Sequence, residues 1–146
     1  MIHSQNHRVV AELPTAAVGS TATATLTIDT LGYDHASITV LRASNASTVF
    51  ANAVKVEESD SLSTGYSDVT ALVGGGTGGF TIPAVSATGS AAVLKLDVDT
   101  KAKKRYLRVN YTPGASANVA IVARLGRAEV SPENASQAGV IGLVRG

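Results

Sequence analysis

The stretch Ala91-Ala92-Val93-Leu94-Lys95-Leu96-Asp97-Val98-Asp99 decides the fold class. Ala92, Leu94, Leu96 and Val98 alternate with Val93, Lys95, Asp97 and Asp99, the period of a β-strand with one buried face. After the basic residues 101–105, Leu107, Val109 and Tyr111 alternate with Tyr106, Arg108 and Asn110. The pattern stops at Pro113-Gly114, where Pro fixes φ and Gly tolerates a positive φ, so a turn is expected there. Next, Ala117, Val119, Ile121, Ala123 and Leu125 take one face, and Asn118, Ala120, Val122 and Arg124 the other. Three adjoining runs of this kind predict a β-meander over residues 91–127.

The same period recurs towards the N-terminus. In residues 21–29, Ala22, Ala24, Leu26 and Ile28 oppose a row of Thr21, Thr23, Thr25, Thr27 and Asp29, and a threonine row suits a solvated β-face. Leu31-Gly32-Tyr33-Asp34 turns the chain into 35–41, where Ala36, Ile38 and Val40 alternate with Ser37 and Thr39. Residues 42–48 read as a Ser/Asn-rich loop, and 49–57 as a strand through Phe50, Val54 and Val56. A loop over 59–65, a short strand over 66–73, a Gly-rich loop over 74–79 and an extended piece over 80–83 follow. Pro83 should hold that last piece at a sheet edge.

About eight short β segments, turn chemistry between them and no long amphipathic helix predict an all-β, single-domain β-sandwich of jelly-roll type. The domain is expected over residues 18–130. Residues 1–17 have no period of their own and read as an extended N-terminal arm, disordered in the free protein through Pro14. Residues 131–146 are Gly/Ala-rich and apolar, and read as an extended tail or a last strand.

Composition narrows the function classes. A chain of 146 residues is long enough to bury a real core. It is 45% hydrophobic but 4% aromatic, without Trp, so the core is expected to be thin and built from small side chains. The shortage of aromatic rings counts against a sugar-stacking or base-stacking platform. Twelve Lys and Arg against eleven Asp and Glu give a net charge of +1, no field for nucleic acid or an anionic membrane. There is no cysteine, hence neither disulfides nor thiolate metal sites. No apolar run approaches the ~20 residues that span a bilayer. The first eight residues lack a basic-then-apolar signal pattern, so secretory export is not expected.

Several groupings carry chemistry by letter and lose it in context. Gly74-Gly75-Gly76-Thr77-Gly78-Gly79 matches GxGxxG, with Asp97 and Asp99 about 20 residues on, but Phe80-Thr81-Ile82-Pro83 does not open the helix that a pyrophosphate requires. A flexible surface loop is expected instead. Glu57, Glu58, Asp60 and Asp68 surround a Ser/Gly loop, yet Leu62 and Ala71 stand where an EF-hand needs its third and twelfth ligands, leaving an irregular calcium loop or a solvated acidic loop. His3 and His7 share a helical spacing without a third ligand or a helix around them. Asp34-His35 lacks a marked nucleophile nearby, and His35 reads as a strand-end residue. Lys101, Lys103, Lys104 and Arg105 form a basic patch at a turn, a solvated loop or a contact for an acidic protein surface. The sequons at Asn45 and Asn134 are short matches in a Ser/Asn-rich chain. No cofactor, no metal and no enzymatic activity are expected.

One resemblance adds to this reading. Lys103-Lys104-Arg105-Tyr106-Leu107-Arg108-Val109, then Pro113-Gly114-Ala115-Ser116, Val119 to Val122 and Leu125-Gly126-Arg127, resemble the C-terminal half of tailed-bacteriophage head decoration, or capsid cement, proteins. Gly32-Tyr33-Asp34-His35, residues 54–60 and Tyr66-Ser67-Asp68-Val69 are similar to the same family. These are strand-and-turn patterns, not a reactive signature. The resemblance implies a virion structural protein on the outer capsid surface, binding the major capsid protein and copies of itself as a homotrimer. No nucleic acid and no membrane partner is implied. The expected contact residues are His7, Arg8, Val9, Val10 and Leu13 in the arm, and Val140, Ile141 and Leu143 in the tail. Alternatives are a tail, baseplate or head-fibre component, or a carbohydrate-binding adhesive β-sandwich module.

Overall fold

In a computed structural model, residues 6–128, 133–140 and 143 are described. They form eight strands, a 3-10 turn at Thr100–Ala102 and one short α-helix: β1 His7–Glu12, β2 Ala24–Asp29, β3 Tyr33–Arg42, β4 Ala51–Ser59, β5 Ser67–Val73, β6 Ala92–Asp99, β7 Tyr106–Pro113, β8 Val119–Ala128 and α1 Ala135–Ala138. Two four-stranded antiparallel sheets pack face to face, the first in the order β1-β8-β3-β6 and the second in the order β2-β7-β4-β5. The pairs β1·β8, β2·β7, β3·β6 and β4·β5 are those of one long antiparallel ribbon folded at the β4–β5 hairpin. Rolling that ribbon adds β3·β8 and β4·β7, the pairing scheme of a jelly roll.

This order corrects the expected meander. β6 and β8 lie in the first sheet and β7 in the second, so residues 100–105 and 114–118 carry the chain between sheets rather than around hairpins. Alternation tells which side chains face the core, but both sheets share one core, so it cannot tell which strand is the neighbour. The turn after Pro113 has a different cause from the expected one. Gly114 is needed because a Cβ there would stand 2.3 Å from the Val49 carbonyl oxygen, not because of a positive φ.

Within the strands the expected inward faces are the observed ones, whereas Ala22, expected on the face of Ala24, Leu26 and Ile28, lies before β2 and is exposed. Leu26, Ile28, Ala36, Ile38, Val40, Val54, Val56, Leu96, Val98, Leu107, Val109, Ile121, Ala123 and Leu125 are buried between the sheets. Each fully buried aliphatic side chain contributes about 1.5–3 kcal/mol relative to exposure. Two aromatic rings sit among them. Tyr111 and Phe50 lie 5.3 Å apart, and the Tyr111 hydroxyl donates to the Phe50 carbonyl at 2.6 Å. Burial pushes the Tyr111 phenol up to about 12, because a phenolate there would lose its water.

Four further expectations are corrected. His7–Glu12 is not a free arm: it pairs with β8 from His7↔Gly126 to Glu12↔Ile121 as an edge strand. Its inward positions are Arg8, Val10 and Glu12, so a charged residue stands at two of three, and the apolar alternation that marks a strand is missing. Such inward charges suit a sheet margin and discourage further pairing. The described tail holds a helical turn at Ala135–Ala138 rather than an extended strand, with Asn134 capping the Gln137 N–H and Gly139 ending it at φ 72°. Residues 80–83 supply only a single bridge from Phe80 to Gly74.

Arg42, expected in a loop, ends β3 with 1% exposure. Its guanidinium donates to the carbonyls of Val49 and Ser90, both at 2.9 Å, and to Ser47 at 3.3 Å, and lies 5.9 Å from the Phe50 ring centre. It thereby ties the loop after β3 to the segment before β6.

Candidate functional site

The outer face of the first sheet is a grid of four rows across its strands. At one end Val93, Leu41 and Ala120 stand in register, followed by Lys95, Thr39, Val122 and Ala11. Then come Asp97, Ser37, Arg124 and Val9, and finally Asp99, His35, Gly126 and His7. The face therefore runs from apolar to polar. Val93 is 64% exposed, Leu41 37%, and Leu13, which follows β1, 69%. Exposed aliphatic side chains gathered in one place are a feature of contact surfaces.

At the polar end Asp97 is held by Lys95 at 2.8 Å, with His35 Nε2 at 3.9 Å. The Lys95 hydrogen bond keeps the Asp97 carboxyl below the usual carboxylate range. Arg124 lies 3.3 Å from His7 Nδ1, and the His7 ring passes over Gly126, where a Cβ would meet it at 3.0 Å. Glycine at this row lets the imidazole lie against the sheet.

The expected contact residues divide as follows. His7 and Val9 face outwards on β1, whereas Arg8 and Val10 face the core side, with Val10 packed against it. Val140 follows α1 and donates its N–H to the Ala135 carbonyl, Leu143 is 36% exposed, and Ile141 lies outside the described residues. The two terminal segments, far apart in sequence, meet. A Cβ on Gly139 would stand 1.8 Å from the Val9 carbonyl oxygen and 3.4 Å from Arg8 Cγ. The tail turn thus packs directly on β1, close enough that only glycine fits.

The outer face of the second sheet is of another kind. Glu57 on β4, 7% exposed, accepts from Lys55 at 2.8 Å, from Arg108 at 2.8 and 2.9 Å, and from Asn110 at 2.7 Å. Burial pushes its carboxyl up, and the hydrogen bonds from Lys55, Arg108 and Asn110 together outweigh that, holding it below the usual range. Lys55 also pairs with Asp68 at 2.8 Å, and this pair, then Glu57, raises the lysine. Arg108 lies 3.9 Å from the centre of the Tyr66 ring, and Thr25 donates to Asn110 at 2.9 Å. The network is closed. Sequence reasoning did not find it, because Glu57 is 51 and 53 residues from Arg108 and Asn110; the available signal was opposite charge at alternate, outward positions of two strands.

The acids around the Ser/Gly loop do not converge. Glu57 and Asp68 belong to the network just described, Glu58 accepts the Lys104 backbone N–H at 3.0 Å, and Asp60 faces Lys104 at 3.9 Å. Among the described residues no group of three His, Cys, Asp or Glu could hold a metal ion. His3 lies outside the described residues. The basic patch is divided among acids: Lys101 with Asp34 at 3.1 Å, and Arg105 bidentate with Asp29 at 2.8 and 2.9 Å, which lowers the Asp29 carboxyl. The Gly-rich segment is a packed turn rather than a loose loop. Gly75 donates to Phe80 and Phe80 to Val73, and a Cβ on Gly79 would stand 1.9 Å from the Val73 carbonyl oxygen. No helix follows it.

No protein-family model matches the chain, and no curated protein matches it. Among solved structures it is similar to an exo-β-1,3-galactanase from Phanerochaete chrysosporium, at 12% identity and a TM-score of 0.32. The match covers 82% of this chain and 28% of the galactanase chain. A likeness of that degree carries no argument about function.

Proposed function

We propose that this chain is a structural binding protein that decorates the outside of an assembled tailed-phage head and strengthens it by bridging capsid subunits. The observation that carries the reading is the apolar end of the first sheet's outer face, where Val93 and Leu41 stand exposed in register beside Ala120. Water-exposed aliphatic rows are stabilised by a protein partner that covers them. The resemblance of residues 103–127 and of the Gly32-Tyr33-Asp34-His35 segment to decoration proteins supplies the kind of partner. Repetition over a lattice converts a modest interface per copy into resistance to internal pressure. The resemblance implies threefold clustering of the bound copies, with capsid protein beneath them.

Heads made without this protein test the reading. They should assemble, lose their genome more readily on heating, and regain heat tolerance when the purified protein is added to saturation. Heads that fail to form at all, or protein found on tails alone, would contradict it.

A further inference from the structure

Of the four sheet edges, β2 and β6 carry no further backbone hydrogen bond among the described residues, and β6 is the longer, eight residues against six. β1 is covered where Gly139 abuts the Val9 carbonyl. β5 is partly overlaid by the turn that follows it, through the Phe80 and Gly76 N–H groups on the Val73 carbonyl. β6 is eight residues long, pairs with β3 from Arg42↔Ala92 to His35↔Asp99, and makes no other backbone hydrogen bond among the described residues. Its second edge is open, and an open edge is a template for another strand.

We propose that β6 pairs with β6 of a second copy, antiparallel about a two-fold axis at Leu96, joining the two first sheets into one. The side chains select both occupant and register. With Leu96 opposite Leu96 of the second copy, Leu94 stands opposite Val98 on the core side, and Lys95 stands opposite Asp97 on the outer side, twice by symmetry. A shift of two residues one way sets Lys95 against Lys95; a shift the other way sets Asp97 against Asp97. A shift of one residue opposes inward and outward faces. The register centred on Asp97 also sets Lys95 against Asp99, but around a central pair of like charges; of the three, only the register centred on Leu96 opposes Lys to Asp with no like pair.

The charges are in place for this. Lys95 and Asp97 already meet within one strand at 2.8 Å, with side chains 62% and 49% exposed, so each can turn to a partner across the edge without disturbing the core. A guard of one sign would repel every register, whereas Lys and Asp two residues apart are self-complementary in one. The outermost pair, Val93 with Asp99, adds nothing. This contact is independent of the threefold clustering in the decoration reading and does not rest on it.

Mass in solution across a concentration series, by sedimentation or light scattering, is the test. The protein should form an assembly of even copy number. Asp97→Lys sets lysine against lysine at both symmetric pairs and should raise the dissociation constant of the two-fold contact about tenfold or more, halving the assembly. Lys95→Asp does the same with the opposite sign, and serves if the first variant does not fold. The double exchange Lys95→Asp with Asp97→Lys restores both pairs and should restore the assembly. A wild-type monomer throughout, an assembly that ignores either single exchange, or a double exchange that fails to rescue would overturn the proposal. Head binding by wild-type protein is a separate measurement, so the decoration reading can fail without this one, and the reverse.

Discussion

The two outer faces of the sandwich are built from similar residue types and put to opposite uses. On the second sheet, Glu57 gathers Lys55, Arg108 and Asn110, Asp68 and Tyr66 complete the circle, and the polar groups satisfy one another. On the first sheet, Lys95, Asp97, His35 and Arg124 occupy one end only, and the other end exposes Val93 and Leu41. The difference teaches that charge count alone does not mark a contact surface. A closed network contributes to stability and leaves little to offer a partner, whereas a face that is half apolar and half charged has unmet surface at one end.

The largest effect should come from breaking the closed network. Glu57→Ala leaves Lys55 and Arg108 facing each other around a hole. Removing one member of a buried pair costs about 3–5 kcal/mol, and the third-exposed partners bring that down to about 2–3 kcal/mol, read as a lower urea midpoint. A loss under about 0.5 kcal/mol would mean that the second face is as dispensable as the first.

A fall in pH should give the next largest effect. The folded Glu57 and Asp29 carboxyls lie below their unfolded values of 4.5 and 3.8, so the stability they contribute is present above those values and is lost as pH falls through the lowered folded ones. Urea midpoints should fall between pH 5 and pH 2, and less steeply in Glu57→Gln, which keeps an acceptor but has no proton to gain. Equal slopes in the two proteins would remove Glu57 from the account.

A smaller, local effect is expected at the junction of the termini. Gly139→Ala puts a methyl group into the Val9 carbonyl at φ 72°, an αL position that costs a non-glycine residue about 1–2 kcal/mol. Hydrogen exchange should accelerate at residues 7–12 and 135–140 while β4 and β7 stay protected. Uniform acceleration would mean that the tail turn is integral to the core.

How far the sequence announced these regions depends on the range of each interaction. β6, β7 and β8 were legible because alternation is a property of the strand itself. Their assignment to alternate sheets was not, because burial on either side of one core looks the same in a linear pattern. β1 escaped notice because Arg8 and Glu12 face inwards at a margin, and Arg42 because an arginine reads as solvent-facing until three carbonyls, at Ser47, Val49 and Ser90, are seen to converge on it. The exposure of Val93 was open to inference, since it breaks the polar row formed by Lys95, Asp97 and Asp99. That Leu41 lies beside it required the register of β3.

The least expected change in stability attends the substitutions that matter most for the proposed role. Val93→Lys and Leu41→Lys sit on a solvent face and should alter the urea midpoint by no more than about 0.5 kcal/mol equivalent. Occupancy of depleted heads, measured against protein concentration for these two variants and for Thr27→Lys on the second sheet's outer face, tests the central claim most directly. The account predicts that the first-sheet variants need about tenfold more protein to reach half saturation and that Thr27→Lys binds as the wild type does; full-strength binding by Val93→Lys and Leu41→Lys, with loss in Thr27→Lys, would contradict it.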